Sequence, residues 1–234
     1  MKTIDRELID PVIEPGIEKL HRVMRTLASG LPMGSEVFLS LFESPMESRK
    51  QKWMIQVTEE INKLILRDNI NIEELMASDE FVSKFMHISN IALRTHEKIK
   101  LNALKNALIN TASSRTLNEH KRTVFLHLID TFTEWHIKLL QIYRHPEKFL
   151  SSSDCTHNKG DFGSVKYIKT IYPELNGEDT YILSLISDLM QKELIILSSK
   201  TEVHMNPESK VMAKTTSSLG DEFLDFISDD HSEA

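Results

Sequence analysis

The 234-residue chain is 40% hydrophobic, enough to bury a core. Seven Gly, seven Pro and a threefold excess of Leu over Val favour helices over sheet. The single cysteine, Cys155, excludes an internal disulfide and a Cys-rich zinc site. The net charge of −7 is uneven, with +1 on residues 1–150 and −8 on residues 151–234.

The opening MKTIDRELID alternates charged and apolar residues, unlike a signal peptide. No run approaches the roughly 18 uncharged apolar residues of a membrane span. The nearest, Thr26–Phe42, carries Glu36, Gly30, Pro32 and Gly34 and is expected to form a buried helical hairpin. A cytoplasmic protein is the expectation.

Apolar spacing predicts helices over about 15–29 and 35–43. A longer helix follows over about 45–68, with Trp53, Val57, Ile61 and Leu64 on one face. Ser44-Pro45-Met46-Glu47 reads as the capping box that starts it, and Asn71 with Glu74 is a looser version before a short helix at 72–77. One helix is expected over 79–112, with Phe81, Phe85, Ile88, Ala92, Ile99 and Ala103 in a stripe. Another is expected over 117–144 behind Thr116-Leu117-Asn118-Glu119, its face formed by Phe125, Leu128, Phe132, Trp135, Leu139 and Ile142. Trp53 and Trp135 should both be buried.

The polar stretch SSSDCTHNKGDFG, residues 151–163, reads as a linker. Beyond it come a helix over about 164–172 and a second from Asn176-Gly177-Glu178-Asp179 to Lys192-Glu193-Leu194, with Ile182, Ile186 and Leu189 inward. Ile195–Leu197 and Thr201–His204 suggest a strand, Lys210–Lys214 its return, and Ser218–Ile227 a closing helix, before an acidic tail at 228–234. The expectation is a mainly α protein: an N-terminal helical bundle over 1–150, then a winged-helix-like domain over 164–227 with one small β-hairpin.

LISDLMQKELIIL, followed by TTSSLGDEFLDFI, resembles the C-terminal half of bacterial winged-helix modules. The matching positions are Leu194-Ile195, then Thr216 or Ser217, Gly220 and Phe223, within about residues 163–227. The resemblance implies a helix stepping into a wing, with a final helix packed beneath. LASGLPMGSEVF and the helical-then-winged layout resemble small helical bacterial proteins of the Abi-alpha type, which implies a defence setting.

Several chemistries find no motif. There is no HExxH, paired Glu-x-x-His, GxxxxGK[ST], GxGxxG or GxSxG. His127, Asp130 and Glu134 share a face of the expected 117–144 helix and are weighed as metal ligands, but read better as a solvated stripe. Asp154, Cys155 and His157 read as a plain polar loop. No metal site, cofactor or catalytic residue is expected. The most basic stretch supplies Arg94, Lys98, Lys100, Lys105, Arg115, Lys121 and Arg122 as candidate anion or nucleic-acid contacts, net +5 with Glu97 and Glu119. In the winged region the candidate recognition helix 178–193 holds Glu178, Asp179, Asp188 and Glu193 against Lys192 alone, a poor match to phosphate. A non-enzymatic adaptor or regulator with a protein partner is the favoured expectation; a winged-helix DNA-binding regulator is the alternative.

Overall fold

The computed structural model describes residues 36–68, 70–113, 117–149, 164–197, 199 and 213–229, with side chains from Ser48 onward. The chain is mainly helical and divides into two compact units, Met1–Asp130 and Thr131–Ala234. The helix expected over 15–29 lies outside the described residues, as do most of the Thr26–Phe42 hairpin and the linker 151–163. No described helix is long and apolar enough to cross a membrane.

In the first unit, α1 spans Glu36–Asp68 as one helix. The break expected at Ser44-Pro45 is therefore absent, and Pro45 sits in a helix interior, where it lacks the amide that would bond back one turn. A capping signature gives a helix start only if the preceding residues leave the helical conformation, and here residues 36–43 are helical too. The expected apolar face is buried, with Trp53 at 3% exposure and Val57, Ile61 and Leu64 beside it. Trp53 Nε1 donates to Ser89 Oγ at 3.0 Å, which satisfies the indole in a site without water access.

α2, Ile72–Ala77, is capped by Asn71, whose Oδ1 accepts from the Glu73 amide at 2.9 Å while its Nδ2 donates to Glu74 at 3.1 Å. The single helix expected over 79–112 is instead α3, Asp79–Arg94, and α4, Lys98–Ala112. The five residues Arg94-Thr95-His96-Glu97-Lys98 contain no apolar side chain, so continuing the helix would bury nothing for more than a turn. Thr95 Oγ1 accepts the Glu97 amide at 3.2 Å and fixes the turn. The two halves then pack on each other, with α1 against both. Phe81, Phe85 and Ile88 of α3 are buried, as are Ala103, Leu104 and Ala107 of α4.

The expected 117–144 helix is likewise two, α5 over Glu119–Thr131 and α6 over Glu134–Arg144. Asn118 caps α5, its Oδ1 accepting from the Lys121 amide at 2.8 Å, and Thr116 lies outside the described residues. Thr133 restarts the chain: its amide donates to His136 Nδ1 at 3.1 Å. The boundary between units falls at this break, ahead of α6, which packs on helices of the second unit. Restarting the helix also changes the outcome for Trp135. It is only part-buried, edge-on to Tyr172 at 5.2 Å, with the Lys138 ammonium 4.1 Å from its ring centroid.

The second unit continues with α7, Ser164–Ile171, then α8, Asp179–Gln191, and α9, Ser218–Ile227. Gly177, at φ 91°, makes the turn ahead of α8. As expected, Ile182, Ile186 and Leu189 face inward, against a core that includes Tyr143, Tyr167, Leu194 and Phe223. The hairpin has no described counterpart beyond one antiparallel bridge, Ile195 with Thr216, two residues past the expected return strand; Thr201–Met212 lie outside the described residues.

Candidate functional site

Of the seven basic residues read as candidate anion or nucleic-acid contacts, four are engaged by other groups of the first unit. Arg94 pairs with Asp130 at 3.1 Å and Lys105 with Glu60 at 3.5 Å. Lys100 is buried at 9% exposure, its ammonium donating to the Asp130 carbonyl at 3.1 Å. Arg122 is also withdrawn, with its side chain 12% exposed and its guanidinium 3.3 Å from Glu80. Lys100 and Arg122 thus serve the contacts among α3, α4 and α5, and neither can meet a phosphate without leaving them. Lys98 is exposed, Lys121 half-buried, and Arg115 outside the described residues. Long cationic side chains can cover apolar surface with their stems, which sequence spacing does not disclose.

The break at Phe132-Thr133 puts Glu134 on a different helix from His127 and Asp130, so the three do not share one helix face. Among the described residues no group of three His, Cys, Asp or Glu side chains is placed to hold a metal ion. Asp130 instead belongs to a charged cluster with Arg94. Nearby, burial lowers the pKa of His87; Asp130 opposes this, while Lys84, Arg94 and His127 reinforce it. Cys155 and its neighbours lie outside the described residues.

The second unit holds the more distinctive geometry, where α8 hands over to α9. The Glu193 amide donates to the Met190 carbonyl at 2.9 Å and the Leu194 amide to Leu189 at 3.0 Å. This pair of bonds is a Schellman ending, which places its C′ residue in the left-handed region and normally recruits glycine. Here that residue is Glu193, at φ 56°. Leu194 then turns inward, fully buried, and its carbonyl accepts the Ser217 amide at 3.0 Å. Ser217 Oγ donates to the Glu193 carbonyl at 2.6 Å and accepts the Gly220 amide at 3.0 Å, capping α9. A Cβ at Gly220 would stand 2.1 Å from the Leu194 carbonyl oxygen. Phe223, one turn on, is buried and meets Phe132 edge-on at 6.0 Å. Leu194-Ile195, Ser217, Gly220 and Phe223 therefore form one packing unit.

His136 ties α6 to α8. Its Nδ1 accepts the Thr133 amide, so the ring proton of the neutral form lies on Nε2, 3.3 Å from Asp188 Oδ2. The ring stacks on Phe132 at 4.6 Å.

Outside this packing unit lies a groove of about 410 Å³ lined by Met190, Glu193, Ile195, Ile196, Leu197, Ser217, Ser218 and Leu219. Ile196 is 67% exposed beside it. Sequence reading assigned Glu193 and Ile196 to a helix end and a strand. Their part in a groove carries no sequence signal, because the lining comes from two segments about twenty residues apart. No family model, curated protein or solved structure matches this chain.

Proposed function

We propose that this chain is a non-enzymatic cytosolic adaptor or regulator, acting through protein–protein contacts made by its second unit. One observation carries the reading: basic side chains of that unit are engaged with the unit's own carboxylates. Lys138 pairs with Glu134 at 3.1 Å, Arg144 with Asp225 at 2.5 Å, Lys169 with Asp179 at 2.7 Å and Lys214 with Asp221 at 2.6 Å. Binding to a nucleic-acid backbone draws on cations free to displace counterions, and each of these would first have to leave its pair. On α8 and its flanks, the exposed Glu178, Asp179 and Glu193 outnumber the exposed Lys192. Protein partners tolerate such a surface; phosphate does not.

A winged-helix DNA-binding regulator is the second reading, favoured by the order α7, α8, the Ile195–Thr216 bridge and α9. A bacterial defence role, implied by the Abi-alpha resemblance, belongs with the first reading. Titration of the full-length protein with duplex DNA at physiological salt separates the two. The adaptor reading expects no submicromolar, sequence-selective binding, together with a partner taken from host extract whose complex can be rebuilt from purified components. Selective DNA binding that weakens in Lys192→Ala would overturn it.

A further inference from the structure

We propose that the groove between the C-terminal end of α8 and the N-terminal end of α9 docks a linear segment of a partner protein, one that presents an apolar anchor next to a basic residue. This rests on the protein-contact reading above and specifies its site and the partner's chemistry. The apolar requirement comes from the lining: among the described residues it includes Met190, Ile196 and Leu219, with Ile195 and Leu197 largely buried, and Ile196 leaves two thirds of its surface in water. An exposed branched aliphatic side chain beside a concave apolar surface is what an anchor residue buries on binding.

The basic requirement comes from charge. Among the described residues, Glu193 is the one charged residue lining the groove, and it is exposed. It makes no ion pair among the described residues, whereas Asp179, Asp221 and Asp225 of the same unit are paired. The carboxylate stands at the C-terminal end of α8, where the helix's own partial charge is negative and favours a cation. The α9 N-terminus also borders the groove, but Ser217 caps an amide there and Asp221 occupies its first turn. Glu193 further holds a left-handed conformation that glycine would adopt without a steric cost. A carboxylate kept at such a position fits a role that needs its side chain.

The test uses the full-length protein as bait for a displayed library of random peptides, with selected peptides then synthesised and titrated against wild type, Ile196→Asp and Glu193→Lys. Both positions are exposed, and unchanged circular dichroism and melting temperature verify that the variants fold. The expected peptides place Leu, Ile, Met or Phe beside Lys or Arg. Their affinity should fall about tenfold or more in Ile196→Asp, a loss of about 1.4 kcal/mol. In Glu193→Lys they should weaken similarly, while acidic counterparts gain. Peptides that bind Ile196→Asp as well as wild type would overturn the groove while leaving the protein-contact reading in place. Selected peptides without a basic residue, or indifferent to Glu193→Lys, would overturn the charge assignment. Recovery of no peptide, or weaker peptide binding by the protein that retains residues 198–212 than by a variant with that segment replaced by a Gly/Ser linker, would also overturn the proposal, the latter by showing the chain's own segment as occupant.

Discussion

Gly220→Ala isolates the contact on which the α8–α9 junction is built. The methyl carbon would lie 2.1 Å from the Leu194 carbonyl oxygen and 3.1 Å from its carbon, so backbone must move. Leu194 cannot move freely, since its side chain is fully buried and its carbonyl holds the Ser217 amide. Displacing either segment strains that bond at 3.0 Å and the cap bond from the Gly220 amide to Ser217 Oγ at 3.0 Å. Overpacking of this kind costs about 1–3 kcal/mol, and a weakened intramolecular hydrogen bond about 0.5–1.5 kcal/mol. Against that, Ala is favoured over Gly within a helix by about 1 kcal/mol. The steric and hydrogen-bond costs win, leaving a net loss of about 2 kcal/mol. In a chain of this size that lowers the melting temperature by about 4–8 °C, read by thermal denaturation followed by circular dichroism. Gly177→Ala supplies the comparison: its Cβ would meet nothing within 4 Å, so only the φ of 91° opposes it, at a cost of about 1 kcal/mol. A Gly220→Ala protein as stable as wild type, or more so, would refute the close approach.

Other outcomes follow from the same geometry. With Trp135 replaced by Phe, the remaining Trp53 should emit at short wavelength and resist quenching, whereas a Trp53→Phe protein should show a quencher-accessible Trp135; equal accessibility would contradict the burial difference. Trp53→Ala should destabilise by about 3–5 kcal/mol in denaturant titration, the range for emptying a large aromatic site, and a loss below about 1 kcal/mol would count against its core position. Glu193→Gly should raise stability by about 1 kcal/mol by relieving the left-handed conformation; a decrease would show that the side chain contributes to the fold. For Asp221, burial opposes ionisation, but hydrogen bonds from Lys214 and Thr216 and the charges of Lys214 and Arg144 outweigh it and hold the pKa below its ordinary value. Its stabilisation is therefore complete above the ordinary carboxylate range and lost as pH falls through the lowered folded-state value. Asp221→Asn should melt lower at neutral pH and lose less than wild type on acidification, and parallel pH–melting curves would argue against this linkage.

The sequence determined the helical class and most of the inward faces. The faces of α1 at Trp53–Leu64 and of α8 at Ile182–Leu189 follow from apolar spacing, because a helix that can bury only one face must carry its apolar residues there. The limits of α2 and α9 were legible as well, since Asn71 and Ser217 cap through bonds to amides only two or three residues away. Leu194-Ile195 and Gly220 were legible as a sequence pattern, though the close approach of Gly220 to the Leu194 carbonyl was not. Tertiary structure decided what depends on distant partners. The break in the 79–112 stripe has a local cause in the run Arg94-Thr95-His96-Glu97-Lys98, which the apolar stripes on either side obscured, whereas the break at Phe132-Thr133 goes with packing of α6 inside the second unit that no local window contains, and that packing also places the unit boundary ahead of α6. The same holds for charge. Lys100 and Arg122 look like free cations in a basic run, yet the Asp130 carbonyl and Glu80 that receive them are some thirty to forty residues away along the chain. The groove beside Ile196 has the same origin: its two walls come from opposite ends of a chain reversal, and only folding puts Glu193 at the rim.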